Sequence, residues 1–306
     1  MKFKKPKFWD YKKPNFIAYL LTPLNLIVGI NNIILNIKPK KKYQKIKTIC
    51  VGNIYLGGTG KTPTVIKLYE IFKNAKLKVS TAKKFYPDQK DEHIILKNRS
   101  EFITSDNRQK IILKAIEKNC ELLIFDDGLQ DGQIDYDFKL VCFDSENWIG
   151  NGFLIPSGPM REKIESLKKY DAVIIKNVGK KSDLNKIYQS INEINPKIQI
   201  FNSFLKIKNK NEFNLNDKFL IFSGIGNNNS FKEILIKNDF NIVEEMIFPD
   251  HFDYKAFDII KILKNAENKN IKIITTEKDY VKIPINLREK INFIKIDLEI
   301  LDQKKL

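Results

Sequence analysis

Gly57-Gly58-Thr59-Gly60-Lys61-Thr62-Pro63 gathers residue types that bind phosphate. Glycines allow backbone turns in which successive N–H groups converge on anionic oxygens. A lysine at the end of such a loop reaches β- and γ-phosphates, and the next hydroxyl, here Thr62, is a ligand for Mg²⁺. Pro63 suits the first turn of a helix, where no intrahelical N–H bond is lost. A second group, Asp126-Asp127-Gly128, offers carboxylates for the metal's coordination shell. Phosphoryl transfer also benefits from a carboxylate that accepts the attacking hydroxyl's proton, and a histidine can orient such a base. The chain holds two histidines, His93 and His251.

These residues need elements to present them. Ile46 to Val51 is apolar and β-prone, and Val65, Leu68, Tyr69 and Phe72 recur at the spacing of one helix face. Strand, glycine loop, Gly-Lys-Thr and helix predict a phosphate-binding loop, with the helix N-terminus adding unpaired donors and partial positive charge. The formal pattern has glycine five residues before Gly60, and Tyr55 stands there. The alternative is a glycine-rich turn without a ligand; the flanking elements weigh against it.

Glu121 to Phe125 predicts a strand ending on Asp126 and Asp127, where a P-loop enzyme keeps its metal-holding carboxylate. Further strands are expected at Leu77–Thr81, His93–Leu96, Glu101–Thr104, Lys139–Phe143 and Asp171–Lys176. Helices are expected from near Asp106 to Asn119 and, after the last of those strands, to about Glu193. Gly150 to Glu162, rich in Gly and Pro with the lone Arg161, is shaped to present backbone and one cation to a ligand. A boundary near residue 200 divides a P-loop domain with its N-terminal segment (1–199) from a smaller α/β domain (200–306). In the second part, Ser223-Gly224-Ile225-Gly226, Phe248-Pro249-Asp250-His251 and Thr276-Glu277-Lys278-Asp279 set polar groups at strand ends, where open α/β sheets bind ligands. The expected fold class is α/β: a P-loop NTPase-like, mainly parallel sheet flanked by helices, a second smaller α/β domain and an N-terminal membrane-associated helix.

Composition narrows the partners. The net charge of +17 invites a nucleic-acid reading, yet only four of 54 basic residues are arginine (Arg99, Arg108, Arg161, Arg288). Readers of nucleic acid favour arginine for bidentate contacts, so a lysine-dominated charge points to solvated surface and no nucleic acid. Cys50, Cys120 and Cys142 match no metal spacing or disulfide framework and are expected as free thiols in a reducing compartment.

From Pro14 to Ile37 there is no charged residue, and lysines flank both ends. That length nearly spans a bilayer, but Pro23, Gly29 and the asparagines at 25, 31, 32 and 36 dilute it. A helix lying on the membrane surface is therefore expected, with the lysines drawn to anionic headgroups. A soluble core helix is the alternative.

Val51-Gly52-Asn53, Gly57 to Pro63, Asp126 to Gln130, Gly150 to Glu162 and the three strand-end blocks run in an order that resembles the tetraacyldisaccharide 4′-kinase (lipid A 4′-kinase) family. The resemblance implies transfer of phosphate from ATP, with Mg²⁺, to the 4′-hydroxyl of a tetraacylated disaccharide 1-phosphate. It implies work at the cytoplasmic face of the bacterial inner membrane, by two α/β domains that close over nucleotide, with no obligate protein partner inferred. The family's Gly-Asp-Glu motif is matched by Lys90-Asp91-Glu92. Asp91 then looks like the catalytic carboxylate, paired across the domain cleft with His251, while Arg108 and Arg161 look like the arginines that engage the lipid.

Two places depart from the family. Lys83-Lys84-Phe85-Tyr86 replaces the usual Gly-Tyr-Gly-Arg block, and Asp131 replaces a histidine after Asp-Asp-Gly-Phe-Gln. A membrane-associated P-loop ATPase or GTPase switch of the partitioning type is the rival reading. Its loops carry a lysine just before the glycine pair, where this chain has Leu56.

Overall fold

Runs rich in Ile, Val, Leu and Phe form the strands, and their order in space differs from their order in the chain. The computed structural model describes residues 5–87, 89–177, 181–250 and 252–303. The strands are β1 (Lys47–Gly52), β2 (Val79–Lys84), β3 (Phe102–Ser105), β4 (Leu122–Asp126), β5 (Phe138–Asp144) and β6 (Ala172–Lys176). They continue with β7 (Gln199–Ile207), β8 (Lys218–Ser223), β9 (Asn241–Ile247), β10 (Lys272–Thr276), β11 (Ile291–Ile294) and β12 (Ile296–Ile300). The helices are α1 (Phe16–Leu20), α2 (Asn25–Ile37), α3 (Lys61–Asn74), α4 (Lys90–Arg99), α5 (Arg108–Glu117), α6 (Lys181–Ile194), α7 (Asn228–Ile236), α8 (Ala256–Lys269) and α9 (Glu277–Tyr280).

Contacts divide the chain into two compact units. The larger comprises Lys5–Phe85, Ser100–Phe204 and the chain from Glu299; the smaller comprises Tyr86–Arg99 and Leu205–Leu298. The larger unit is built on a sheet of order β12-β7-β6-β5-β1-β4-β2-β3. Its pairings from β7 to β3 are parallel. Central strands β1 and β4 are buried almost throughout because both faces are covered, as in parallel sheets generally. The smaller unit holds a four-stranded parallel sheet, β11-β10-β8-β9.

Two expectations need correction. His93–Leu96 is not a strand but the middle of α4. Four apolar-rich residues cannot be told from a helix segment by periodicity. Asp91 and Glu92 in the first turn and Lys97 and Arg99 in the last complement the helix dipole. The division is also not one cut near residue 200, because Tyr86–Arg99 leaves the P-loop part of the chain to join the smaller unit.

Cys50 and Cys142 are buried free thiols, and Cys120 is half-buried and also free. Burial pushes the Cys142 thiol up to about 12, so it is a packing residue rather than a nucleophile.

The uncharged N-terminal stretch forms α1 and α2, and no helix among the described residues is long and apolar enough to cross a membrane. Three of its asparagines, Asn15, Asn25 and Asn32, are docking and capping groups. Asn15 caps α1 by accepting from the Ala18 N–H at 3.0 Å, and Asn25 accepts from the Ser157 hydroxyl at 2.8 Å. Asn32 Nδ2 donates to the Arg161 carbonyl at 2.8 Å. The apolar residues between them face outward: Leu26 and Ile27 are each 68 % exposed, and Ile30, Ile33 and Ile37 are exposed too.

Candidate active site

β1 ends at Gly52 and α3 begins at Lys61, so the phosphate loop lies at the C-terminal end of a central strand. Gly60 has φ +87° at the N-cap of α3, a conformation that a side chain disfavours. Thr59 is buried and its Oγ1 has no hydrogen-bond partner among the described residues, an unmet donor and acceptor inside the loop. Lys61 Nζ donates to Asn53 Oδ1 at 3.2 Å and lies 3.9 Å from an Asp127 carboxylate oxygen.

Tyr55, the mismatch to the formal pattern, is a support. It is buried, its hydroxyl donates to Asp10, and its ring would be 2.9 Å from a Cβ at Gly57. The loop's first half is stitched to the Gly-Pro-Met-Arg turn. Leu56 N–H donates to the Pro159 carbonyl at 2.8 Å, and Arg161 N–H to the Ile54 carbonyl at 2.7 Å. Residues 103 positions apart (Leu56 and Pro159) and 107 positions apart (Ile54 and Arg161) thus join two glycine-rich stretches.

β4 delivers the aspartates. Val51 of β1 pairs with Asp126, so the carboxylate stands beside the strand that feeds the phosphate loop. Thr62 Oγ1 donates to Asp126 Oδ2 at 2.8 Å, and Lys83 Nζ approaches the same oxygen at 3.2 Å. Asp127 turns out of the strand with φ +64°, a region aspartate tolerates better than most residues. Its carboxylate accepts from Arg161 Nη1 at 3.3 Å on both oxygens. Burial works against its charge, but Lys61, Arg161 and Lys83 outweigh it and hold the carboxyl at about 2. Gly128 is required by close approach: a Cβ there would meet the Tyr136 hydroxyl at 2.7 Å and the Arg108 Nε at 3.1 Å.

Arg108 and Arg161 both grip the Asp-Asp-Gly loop. Arg108 opens α5 behind the cap of Asn107 and is 9 % exposed. It pairs with Asp131 at 2.7 Å and donates to the Asp127 carbonyl at 2.7 Å. Asp131, the departure from the family's histidine, is thereby the carboxylate partner of Arg108. Gln130 Nε2 bridges the Asn53 carbonyl at 3.1 Å and Glu162 at 2.8 Å, tying both loops together again.

Asp91 is elsewhere. It lies on α4 in the smaller unit, 3 % exposed, with Lys278 Nζ 3.8 Å away. Lys278 also reaches Glu92 at 3.4 Å and Asp250 at 3.5 Å. Burial opposes the ammonium charge, and Glu92, Asp250 and Asp91 more than restore it, raising the lysine above its ordinary range. The turn that carries Lys278 is built by Thr276, whose hydroxyl donates to Asp279 at 2.7 Å, and by the Gly224 N–H, which reaches Asp279 at 2.9 Å. His251 lies outside the described residues, while its chain neighbours belong to the same unit as Asp91. Asp91, expected in the P-loop domain, instead folds with residues 205–298. His93 is a buried residue of α4.

The P-loop, Asp126, Asp127, Arg108 and Arg161 are brought together in the larger unit. Sequence reasoning gave no role to Lys83 or Lys278. In a chain with 54 basic residues, Lys83 stands out by its burial, at 1 % exposure, and Lys278 by the carboxylates of Asp91, Glu92 and Asp250 around it.

A family model described as Tetraacyldisaccharide-1-P 4'-kinase matches residues 17–306. A tetraacyldisaccharide 4'-kinase of Pelagibacter ubique is 45 % identical over 306 residues, covering 100 % of this chain and 96 % of the relative. One from Rickettsia canadensis is 34 % identical over 314 residues, covering 96 % and 93 %. Among solved structures, LpxK from Aquifex aeolicus in complex with ATP superposes with a TM-score of 0.70 at 22 % identity, covering 95 % of this chain and 97 % of that one. At that identity the likeness speaks for the fold.

Proposed function

Because the chain belongs to the Tetraacyldisaccharide-1-P 4'-kinase family, we propose that it transfers the γ-phosphoryl group of ATP to the 4′-hydroxyl of a tetraacyldisaccharide 1-phosphate. The observation that carries this reading is the joined phosphate loop and aspartate pair, with Lys61 between Asn53 and Asp127 and Thr62 on Asp126. The family match across residues 17–306 favours a kinase over a membrane-associated nucleotide switch.

The residues present suit ATP with Mg²⁺. The buried, unpartnered Thr59 hydroxyl has a use once phosphate oxygens fill the loop. One hydroxyl and two carboxylates, Thr62, Asp126 and Asp127, match the habit of Mg²⁺, which takes one or two carboxylates and completes its octahedron with phosphates and water. Held by Thr62, Asp126 and Asp127, Mg²⁺ would supply neutralisation of the phosphate charge. Around it, Gly57, Gly58, Gly60 and Pro63 shape the loop, and Lys61 stabilises the charge that develops on the transferred group. Asp91 takes the proton of the attacking hydroxyl, with His251 as its orienting partner by family resemblance. Arg161, beside the loop mouth, meets the substrate directly, and Arg108 acts on it through the Asp127 carbonyl and Asp131.

The outward apolar face of α1 and α2 supports attachment to the cytoplasmic face of a bacterial inner membrane, where the acylated substrate resides. Glutamate at both Leu26 and Ile30 should move the protein from the membrane to the soluble fraction without lowering Tm, since both side chains are exposed. Unchanged membrane sedimentation would place the anchor elsewhere.

The decisive assay supplies γ-³²P-ATP, Mg²⁺ and a tetraacyldisaccharide 1-phosphate in detergent micelles. Label is expected in the lipid. Label only in free phosphate would refute the kinase reading.

A further inference from the structure

Lys83 closes β2 at the point where this chain replaces the family's glycine-containing block. Its side chain is as buried as the core: the residue is 1 % exposed, and its Nζ lies 3.2 Å from Oδ2 of the fully buried Asp126. Strand register sets this pair. Ala82 of β2 pairs with Phe125 of β4, so the next residues on each strand, Lys83 and Asp126, stand side by side. On its other flank, Lys83 pairs with Thr104 of β3, whose hydroxyl donates to the Lys83 carbonyl at 2.8 Å.

Stability alone is a weak reason for such a pair, because buried ion pairs often contribute no more than apolar residues of the same volume. What the pair holds is more informative. Asp126 Oδ2 also accepts the Thr62 hydroxyl proton, at 2.8 Å. A hydroxyl that donates inward to a carboxylate turns its lone pairs outward, and a cation ligand must present lone pairs. Lys83 fixes the carboxylate that fixes this hydroxyl.

We propose that Lys83 is a positioning residue of the nucleotide site, orienting Asp126 and, through it, Thr62 toward a divalent cation bound with a nucleoside triphosphate. This rests on reading the phosphate loop as a nucleotide site and adds a residue that the reading did not contain. Lys61 acts on the phosphates from the loop; Lys83 acts behind the metal ligands.

The test needs no lipid. A fluorescent ATP analogue is bound to the wild-type protein, to Lys83→Met and to Lys83→Gln, with and without Mg²⁺, and Mg²⁺ is titrated at fixed analogue. Losing a partner of a metal ligand costs about 10- to 100-fold in metal affinity. The Mg²⁺ midpoint is therefore expected to rise by about that factor in Lys83→Met, with a much smaller change in Mg²⁺-free binding. Lys83→Gln keeps a donor toward Asp126, is the milder change if the methionine variant does not fold, and should shift the midpoint in the same direction. A wild-type midpoint in a folded variant, or equal losses with and without Mg²⁺, would overturn the proposal and leave Lys83 as charge balance for Asp126. Wild-type protein that binds the analogue equally with and without Mg²⁺ would overturn this assignment alone, whereas wild-type protein that binds no analogue would overturn the nucleotide-site reading, so the two failures are distinguishable.

Discussion

Alanine at Lys61 is expected to lower kcat by about 10²- to 10³-fold, the usual cost of removing one preorganised group that stabilises transition-state charge. Lys61 is the first residue of α3, and its ammonium is held by Asn53 at 3.2 Å with Asp127 at 3.9 Å. It thus stands ready before substrate arrives, and no reorganisation offsets its effect at the moment of transfer. The fold should survive, because Asp127 keeps Arg161 as its partner. The measurement is kcat and KM for ATP in the lipid assay, with Tm as the control. A folded Lys61→Ala with kcat near wild type would mean that the nucleotide sits elsewhere.

Asp91→Asn is expected to cost about 10²- to 10⁴-fold in kcat, the range for a lost general base. Asparagine keeps the shape and one oxygen, so the acceptor for the Glu92 N–H, now at 3.0 Å, is retained. On the proposed role, what would be lost is the ability to take the proton of the 4′-hydroxyl. Nucleotide binding to the phosphate loop should be preserved, so the loss belongs to kcat and not to the KM for ATP. If Asp91→Asn retained a tenth or more of wild-type kcat, the base would have to be sought elsewhere, with the neighbouring Glu92 as the next carboxylate to replace.

Parts of this site are readable along the chain because their signals are local. A strand, a glycine loop and Lys61-Thr62 are consecutive, so backbone geometry alone ties them into one device. β4 with Asp126 at its end is equally local: an apolar run buried on both faces and closed by a carboxylate. The N-terminal segment is legible in part: an uncharged stretch diluted by Pro23, Gly29 and asparagines forms the short helices α1 and α2, and no helix among the described residues is long and apolar enough to cross a membrane. Where the signal is short, it misleads. His93–Leu96 carries too few residues to separate strand from helix, and the helix is settled by its packing against α9 and its charged ends.

The chain by itself therefore determined the donor half of the chemistry: a phosphate loop, a paired aspartate and the order of motifs that identifies the family. Tertiary structure decided the rest, because it depends on which strands become neighbours. Lys83 meets Asp126 only because β2 lies beside β4, and Arg161 meets Asp127 only because the Gly-Pro-Met-Arg turn pairs with Ile54 and Leu56. Asp91 meets Lys278 only because α4 leaves the chain segment around it to pack in the smaller unit. Spacing along the sequence carries no record of such contacts. They are set by strand order and register, and the burial they impose turns ordinary lysines of a lysine-rich chain into parts of a site.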